Sequence, residues 1–119
     1  MKNENPNQFV ERLFPFVLRS RGFLVGRDNL RCNKSRLHFI LIATDLSEAS
    51  RIKILASFAH YPIVQHYSTK DLEELFHIQG AKVIGFEKSG LAQSIYAELK
   101  AFRINKPVAS LKEPEKPSE

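Results

Sequence analysis

Leu37-His38-Phe39-Ile40-Leu41-Ile42-Ala43 is the stretch that decides the fold. It is nearly continuously apolar, and at seven residues it is strand length. A strand apolar on both faces is buried on both faces, and such strands lie in parallel sheets covered by helices. Residues downstream continue the pattern. Ser47 caps a helix whose apolar stripe reads Ile52, Leu55, Ala56 and Ala59, with Pro62 just past its end. Pro62 to Tyr67 reads as a strand. Ser68-Thr69-Lys70-Asp71 has the form of a capping box, with Leu72, Leu75 and Phe76 as the stripe behind it. Ala81 to Phe86 is the last strand, and Ser89 opens a last helix carrying Leu91, Ile95, Leu99 and Phe102.

Upstream, Asn5-Pro6-Asn7-Gln8 reads as a helix start. Phe9, Leu13, Phe16 and Val17 recur at helical spacing, Pro15 should kink or split that helix, and Gly22 ends it. Phe23-Leu24-Val25, closed by Gly26, is a short edge strand. Residues 27–36 are polar and basic around Leu30 and read as a short exposed helix. Strands alternating with helices predict a three-layer α/β/α sandwich around a small mixed sheet of about four strands. The expected domain is 1–102. Residues 103–119 hold Pro107, Pro114 and Pro117 among interleaved Lys and Glu, the composition of a disordered charged tail.

The composition bounds the function. The 119 residues make one domain, 43% hydrophobic and 26% charged. No apolar run approaches the roughly 20 residues of a membrane span, so no membrane partner is expected. The first residues lack the apolar core of a secretory signal, and the single Cys32 suits a reducing compartment. A cytoplasmic protein is the expectation. The net charge of +5 lies wholly in residues 1–38, which hold eight Lys/Arg against three Asp/Glu. Arg19, Arg21, Arg27, Arg31, Lys34 and Arg36 face only Asp28 there. Such asymmetry is the footprint of a polyanion-binding surface, and a solvated basic face explains it equally.

Catalytic templates fail. No glycine-rich phosphate loop and no nucleophile elbow occurs. Cys32 has cationic neighbours that favour a thiolate, but no placed base. His38, His60, His66 and His77 lack the spacing of metal ligands. Asp45 and Glu48 flank a helix start, where acidic groups complement the dipole. The expectation is no enzyme, no cofactor and no metal.

The order of segments carries more than any single one. Arg19-Ser20-Arg21-Gly22-Phe23-Leu24-Val25-Gly26, a basic short helix, then Leu37 to Asp45, and downstream Ser68 to Gly90, together resemble the kink-turn RNA-binding ribosomal-protein superfamily. That superfamily includes ribosomal proteins seven-Ae and thirty-e, and the bacterial YlxQ-like branch is closest in look. The resemblance covers roughly residues 16–100. It implies an α/β/α fold and a ribonucleoprotein role, with structured RNA, ribosomal RNA included, as partner. It implies RNA contacts from Gly26, Arg27, Asp28, Asn29, Arg31 and Lys34, and from Ile78, Gln79 and Gly80 before the last strand. In the family the turn glycine is followed by x-Asn-Glu and then a basic residue. Here Asp28, Asn29 and Cys32 stand at those places, and Glu73 and His77 stand where the family has glycines. The alternative reading is a protein-interaction module on the same fold that has lost kink-turn specificity, with ribosomal or regulatory proteins as partners. The acidic Asp71, Glu73 and Glu74 point that way.

Overall fold

A computed structural model describes residues 10–105. Four strands, β1 (Phe23–Val25), β2 (Leu37–Ile42), β3 (Ile63–Gln65) and β4 (Val83–Glu87), form one sheet in the order β1-β4-β2-β3. β2 and β3 are parallel, and β4 runs antiparallel to both β1 and β2. The sheet is therefore mixed, and β1, β2 and β3 all end at the same edge. The helices are α1 (Phe14–Ser20), α2 (Arg27–Cys32), α3 (Glu48–Ser57), α4 (Thr69–Phe76) and α5 (Gly90–Leu99). Short 3-10 turns at Lys34–Arg36 and Lys100–Phe102 follow α2 and α5.

The sheet is packed on both faces. On one, Val10, Phe14 and Val17 meet Leu72, Phe76, Ile95 and Leu99 over Phe39, Leu41, Ile84 and Phe86. On the other, Leu30, Ile54 and Phe58 cover Leu37, Ile40, Ile42, Ile63 and Val83. The α/β/α sandwich is thus the observed architecture. Phe39 and Phe86 are register partners, and their rings stack at 4.5 Å. Burying one such side chain is worth roughly 1.5–3 kcal/mol. Leu37 and Phe39 sit two apart yet point to opposite faces, because the ladder slips between them in a β-bulge. The slip turns Leu37 onto the α2 side.

The helix ends follow local chemistry. Ser47, Ser68 and Ser89 each accept a backbone N–H three residues on. Ser68 and Asp71 complete the reciprocal capping box. Pro15 splits the first helix. The chain turns at Arg12–Leu13, and α1 restarts at Phe14 with the proline in its first turn, where a missing N–H costs nothing. Arg21, not Gly22, takes the left-handed position that ends α1, at φ 57°.

Several expectations are corrected. Phe16 is 52% exposed under the Arg19 guanidinium, and Val10, Phe14 and Val17 form the buried stripe instead. The break at Leu13 shifts the helical phase by which a continuous stripe would have been counted. In α3 the core face is Ile54 and Phe58, while Ile52 is 56% exposed and Ala56 is exposed. The expected disordered tail starts too early. Arg103 bridges Val64, the Ile104 N–H donates to Ile63 O, and Asn105 bonds to both Tyr61 and Ile63. These three residues belong to the folded body. The rest of the expected tail, like the helix start at Asn5–Gln8, lies outside the described residues.

Candidate nucleic-acid interface

Strand pairing assembles the candidate site. Val25 pairs with Ile84, and the Gly26 N–H donates to Val83 O at 3.0 Å. The turn after β1 therefore lies beside the segment that enters β4, which holds Ile78, Gln79 and Gly80. Two groups more than fifty residues apart in sequence, 26–29 and 78–80, meet at the edge where the three parallel strands end.

Gly26 sits at φ 94°, a conformation that strains any side-chain-bearing residue. Its carbonyl accepts the Leu30 N–H at 3.1 Å, which starts α2 directly from the strand end. Leu30 is fully buried, and it pins α2 to the sheet above Gly85. A Cβ on Gly85 would fall 2.9 Å from Leu30 Cγ, so α2 rests on the bare backbone of β4. Arg27, Asp28, Asn29 and Arg31 are consequently exposed, and Val25 to Asn29 line a shallow depression.

The side chains differ in how free they are. Arg27 makes no hydrogen bond or ion pair among the described residues. Arg31 pairs with Asp28 at 2.8 Å, both well exposed, an attachment worth well under 1 kcal/mol and easily traded for a phosphate. The Asn29 amide donates a long bond to Val25 O at 3.3 Å, and Asn29 O accepts from Asn33. Lys34 is turned away from the turn. Its ammonium donates to Ser57 O at 2.7 Å and lies over the Phe58 ring, so it closes the end of α3.

On the second segment, α4 ends with His77 in the left-handed conformation at φ 56°, and the Ile78 N–H reaches back to Glu73 O. Ile78 is half-buried against the larger core cluster, Gln79 is exposed, and Gly80 turns at φ 71°. The Gly80 N–H donates to Glu73 Oε2 at 2.7 Å. A carboxylate thus sits in the middle of this loop.

Three residues that the sequence did not single out for the site lie at the same edge. Asp45 Oδ1 accepts from both the N–H and the hydroxyl of Thr69, at 2.9 and 2.8 Å. The Lys82 ammonium donates to Thr69 Oγ1 at 3.0 Å and stands 3.8 Å from Asp45. The cluster ties the exits of β2 and β3 to the entry of β4. Thr69's hydrogen bonds hold the Asp45 carboxyl below the usual range, with Lys82 helping. Asp45 therefore serves the start of α4, not the helix that follows it in sequence. Glu48 does serve its own helix, paired with Arg51.

The basic third of the sequence does not form one surface. Arg21 and Arg36 lie at the opposite end of the sheet, since Gly22 O and Arg36 O accept from Glu87 and Lys88, and Arg36 pairs with Glu87 at 2.7 Å. Gly22 and Gly26 are separated by roughly 13 Å of strand. Among the described residues no group of His, Cys, Asp and Glu could hold a metal ion, and no helix is long and apolar enough to cross a membrane.

No protein-family profile matches the sequence, and no curated protein does. Solved structures do match in fold. A protein of unknown function from Bacillus halodurans superposes with a TM-score of 0.68 at 16% identity, covering 75% of this chain and 94% of that one. A 15.5 kD RNA-binding protein from Giardia lamblia superposes with a TM-score of 0.60 at 16% identity, covering 85% and 89%.

Proposed function

We propose that the chain is a non-catalytic, cytoplasmic RNA-binding domain. It docks structured RNA, of kink-turn or ribosomal type, against the turn after β1 and the loop before β4. One observation carries the reading: strand pairing places exposed Arg27, Asn29 and Arg31 beside Gln79 and Gly80 at one edge of the sheet. The fold shared with an RNA-binding protein supports it. Arg27 and Arg31 supply phosphate contacts, which position the RNA. Asn29, with both a donor and an acceptor, is the group able to read a base edge. Ile78 offers an apolar flank for an unstacked base. Lys34, spent on Ser57, has no part in first contact.

The test is fluorescence anisotropy with a kink-turn RNA and with the same hairpin whose sheared G·A pairs are converted to Watson–Crick pairs, each at two salt concentrations. A preference for the first that survives added salt supports kink-turn recognition. Arg27→Ala and Arg31→Ala should each weaken binding, and each should lower the salt slope by about one contact. Their melting temperatures should stay unchanged. Wild-type affinity in both variants refutes this surface. The Glu73 carboxylate on Gly80 favours the second reading, a protein-interaction module, and absence of binding to either RNA would select it.

A further inference from the structure

Beside the end of β3, on the face covered by α1 and α4, lies a depression of about 240 Å3. Glu11, His66, Tyr67, Asp71, Glu74 and Leu75 line it, three carboxylates with no lysine or arginine among them. Its floor holds an anomaly. Tyr67 is only 4% exposed, and its hydroxyl has no hydrogen-bond partner. Buried hydroxyls almost always find one, so an orphan marks a missing group. Burial, then the charges of Glu11 and Asp71, push the phenol's pKa up, so both carboxylates act on this hydroxyl. Asp71 spends one oxygen on the Ser68 N–H and keeps the other.

The missing group is a cation, because every ionised neighbour is an acid. It is not a metal ion, since the described residues hold no cluster fit to ligate one. It does not belong to RNA, whose phosphates the three carboxylates repel. An ammonium has three donors and no acceptor, which matches two carboxylates and a phenol oxygen. Leu75 and the aromatic walls of His66 and Tyr67 suit the methylene stem of such a side chain. His66 is itself held in place by stacking on Phe102 at 3.8 Å.

We propose that this depression receives a lysine side chain from a protein partner, its ammonium seated between Glu11 and Asp71 with the Tyr67 hydroxyl as third acceptor. The site is separate from the RNA-facing turn and does not depend on that reading.

The experiment is an NMR amide-shift titration of the full chain with Nα-acetyl-lysine methylamide at fixed ionic strength. The control is the same compound acetylated on Nε. The expected result is saturable shifts centred on Glu11, Tyr67, Asp71 and Leu75 with the charged probe alone. Tyr67→Phe should weaken the probe about fivefold or more. It should leave the melting temperature of the free protein equal or higher, because it deletes an unsatisfied hydroxyl. Should that variant not fold, Glu11→Gln with Glu74→Gln must produce the same loss. No saturable shift, equal shifts from the acetylated probe, or wild-type binding by the variants overturns the proposal. A lowered melting temperature in a folded Tyr67→Phe also overturns it, since the hydroxyl would then already be satisfied.

Discussion

Gly85→Ala puts a single methyl where α2 meets the sheet. A Cβ there lies 2.7 Å from Leu37 Cδ2 and 2.9 Å from Leu30 Cγ, whereas ordinary contact begins at 3.4 Å. Both leucines must retreat by half an ångström or more. Neither has room, since Leu30 and Leu37 are fully enclosed and the β-bulge fixes the direction of Leu37. Overpacking of this kind costs about 1–3 kcal/mol. For a domain of this size, about 2 kcal/mol lowers the melting temperature by roughly 10 °C. The cheapest relief lifts α2 and so moves Arg27 and Arg31, so RNA affinity should fall in a variant whose circular dichroism stays native. Leu30→Ala alone should cost about 2–5 kcal/mol. In the double variant the new methyl partly fills that cavity, so the two costs should undershoot their sum by about 1 kcal/mol or more. Thermal and urea melts of the four proteins, with anisotropy on each, complete the cycle. A Gly85→Ala protein that melts like wild type, or costs that simply add, would refute this account of how α2 is seated.

Other outcomes follow from the same contacts. Glu73→Gln keeps an acceptor for the Gly80 N–H and removes a negative charge from the RNA-facing loop, so RNA binding should tighten, by about 0.5–1 kcal/mol in anisotropy. His77→Gly should stabilise the protein by about 1 kcal/mol in urea melts, because His77 pays for a left-handed conformation that glycine adopts freely. Burial, and next Lys88, lower the pKa of His38, and burial lowers that of His66 against the pull of Asp71 and Glu11. The unfolded chain then binds protons more readily, so stability is highest above the unfolded pKa and falls as pH drops below about 6.5. His38→Gln should flatten that fall in a pH series of urea melts.

What the sequence disclosed depended on the range of the interaction. β2 was legible because an unbroken apolar run has one physical meaning, and Ser47, Ser68 and Ser89 were legible because a cap is settled within three residues. α3 was not. Its sequence carries two apolar stripes of similar strength, one through Ile52 and Ala56 and one through Ile54 and Phe58, and only the sheet beneath chooses between them. α1 was misread because Pro15 resets the phase. In the candidate site, Gly26 and its neighbours could be named from the order of segments. The contacts of Glu73 with Gly80, of Asp45 with Thr69 and Lys82, and of Leu30 above Gly85 join residues from different elements or across a helix end. They exist only once the strand order does. The division of the basic third between two ends of the sheet was hidden for the same reason.

The strap formed by Arg103, Ile104 and Asn105 bears on how copies of the protein behave toward one another. An outermost strand displays a row of unsatisfied amides and carbonyls, a template on which another chain can polymerise. Here the strap occupies that row along β3. A chain ended after Phe102 would keep both hydrophobic layers and lose this cover. Its sheet would be open to addition on the β3 side, and its solubility would depend on concentration. A chain ended after Asn105 would carry its own stop.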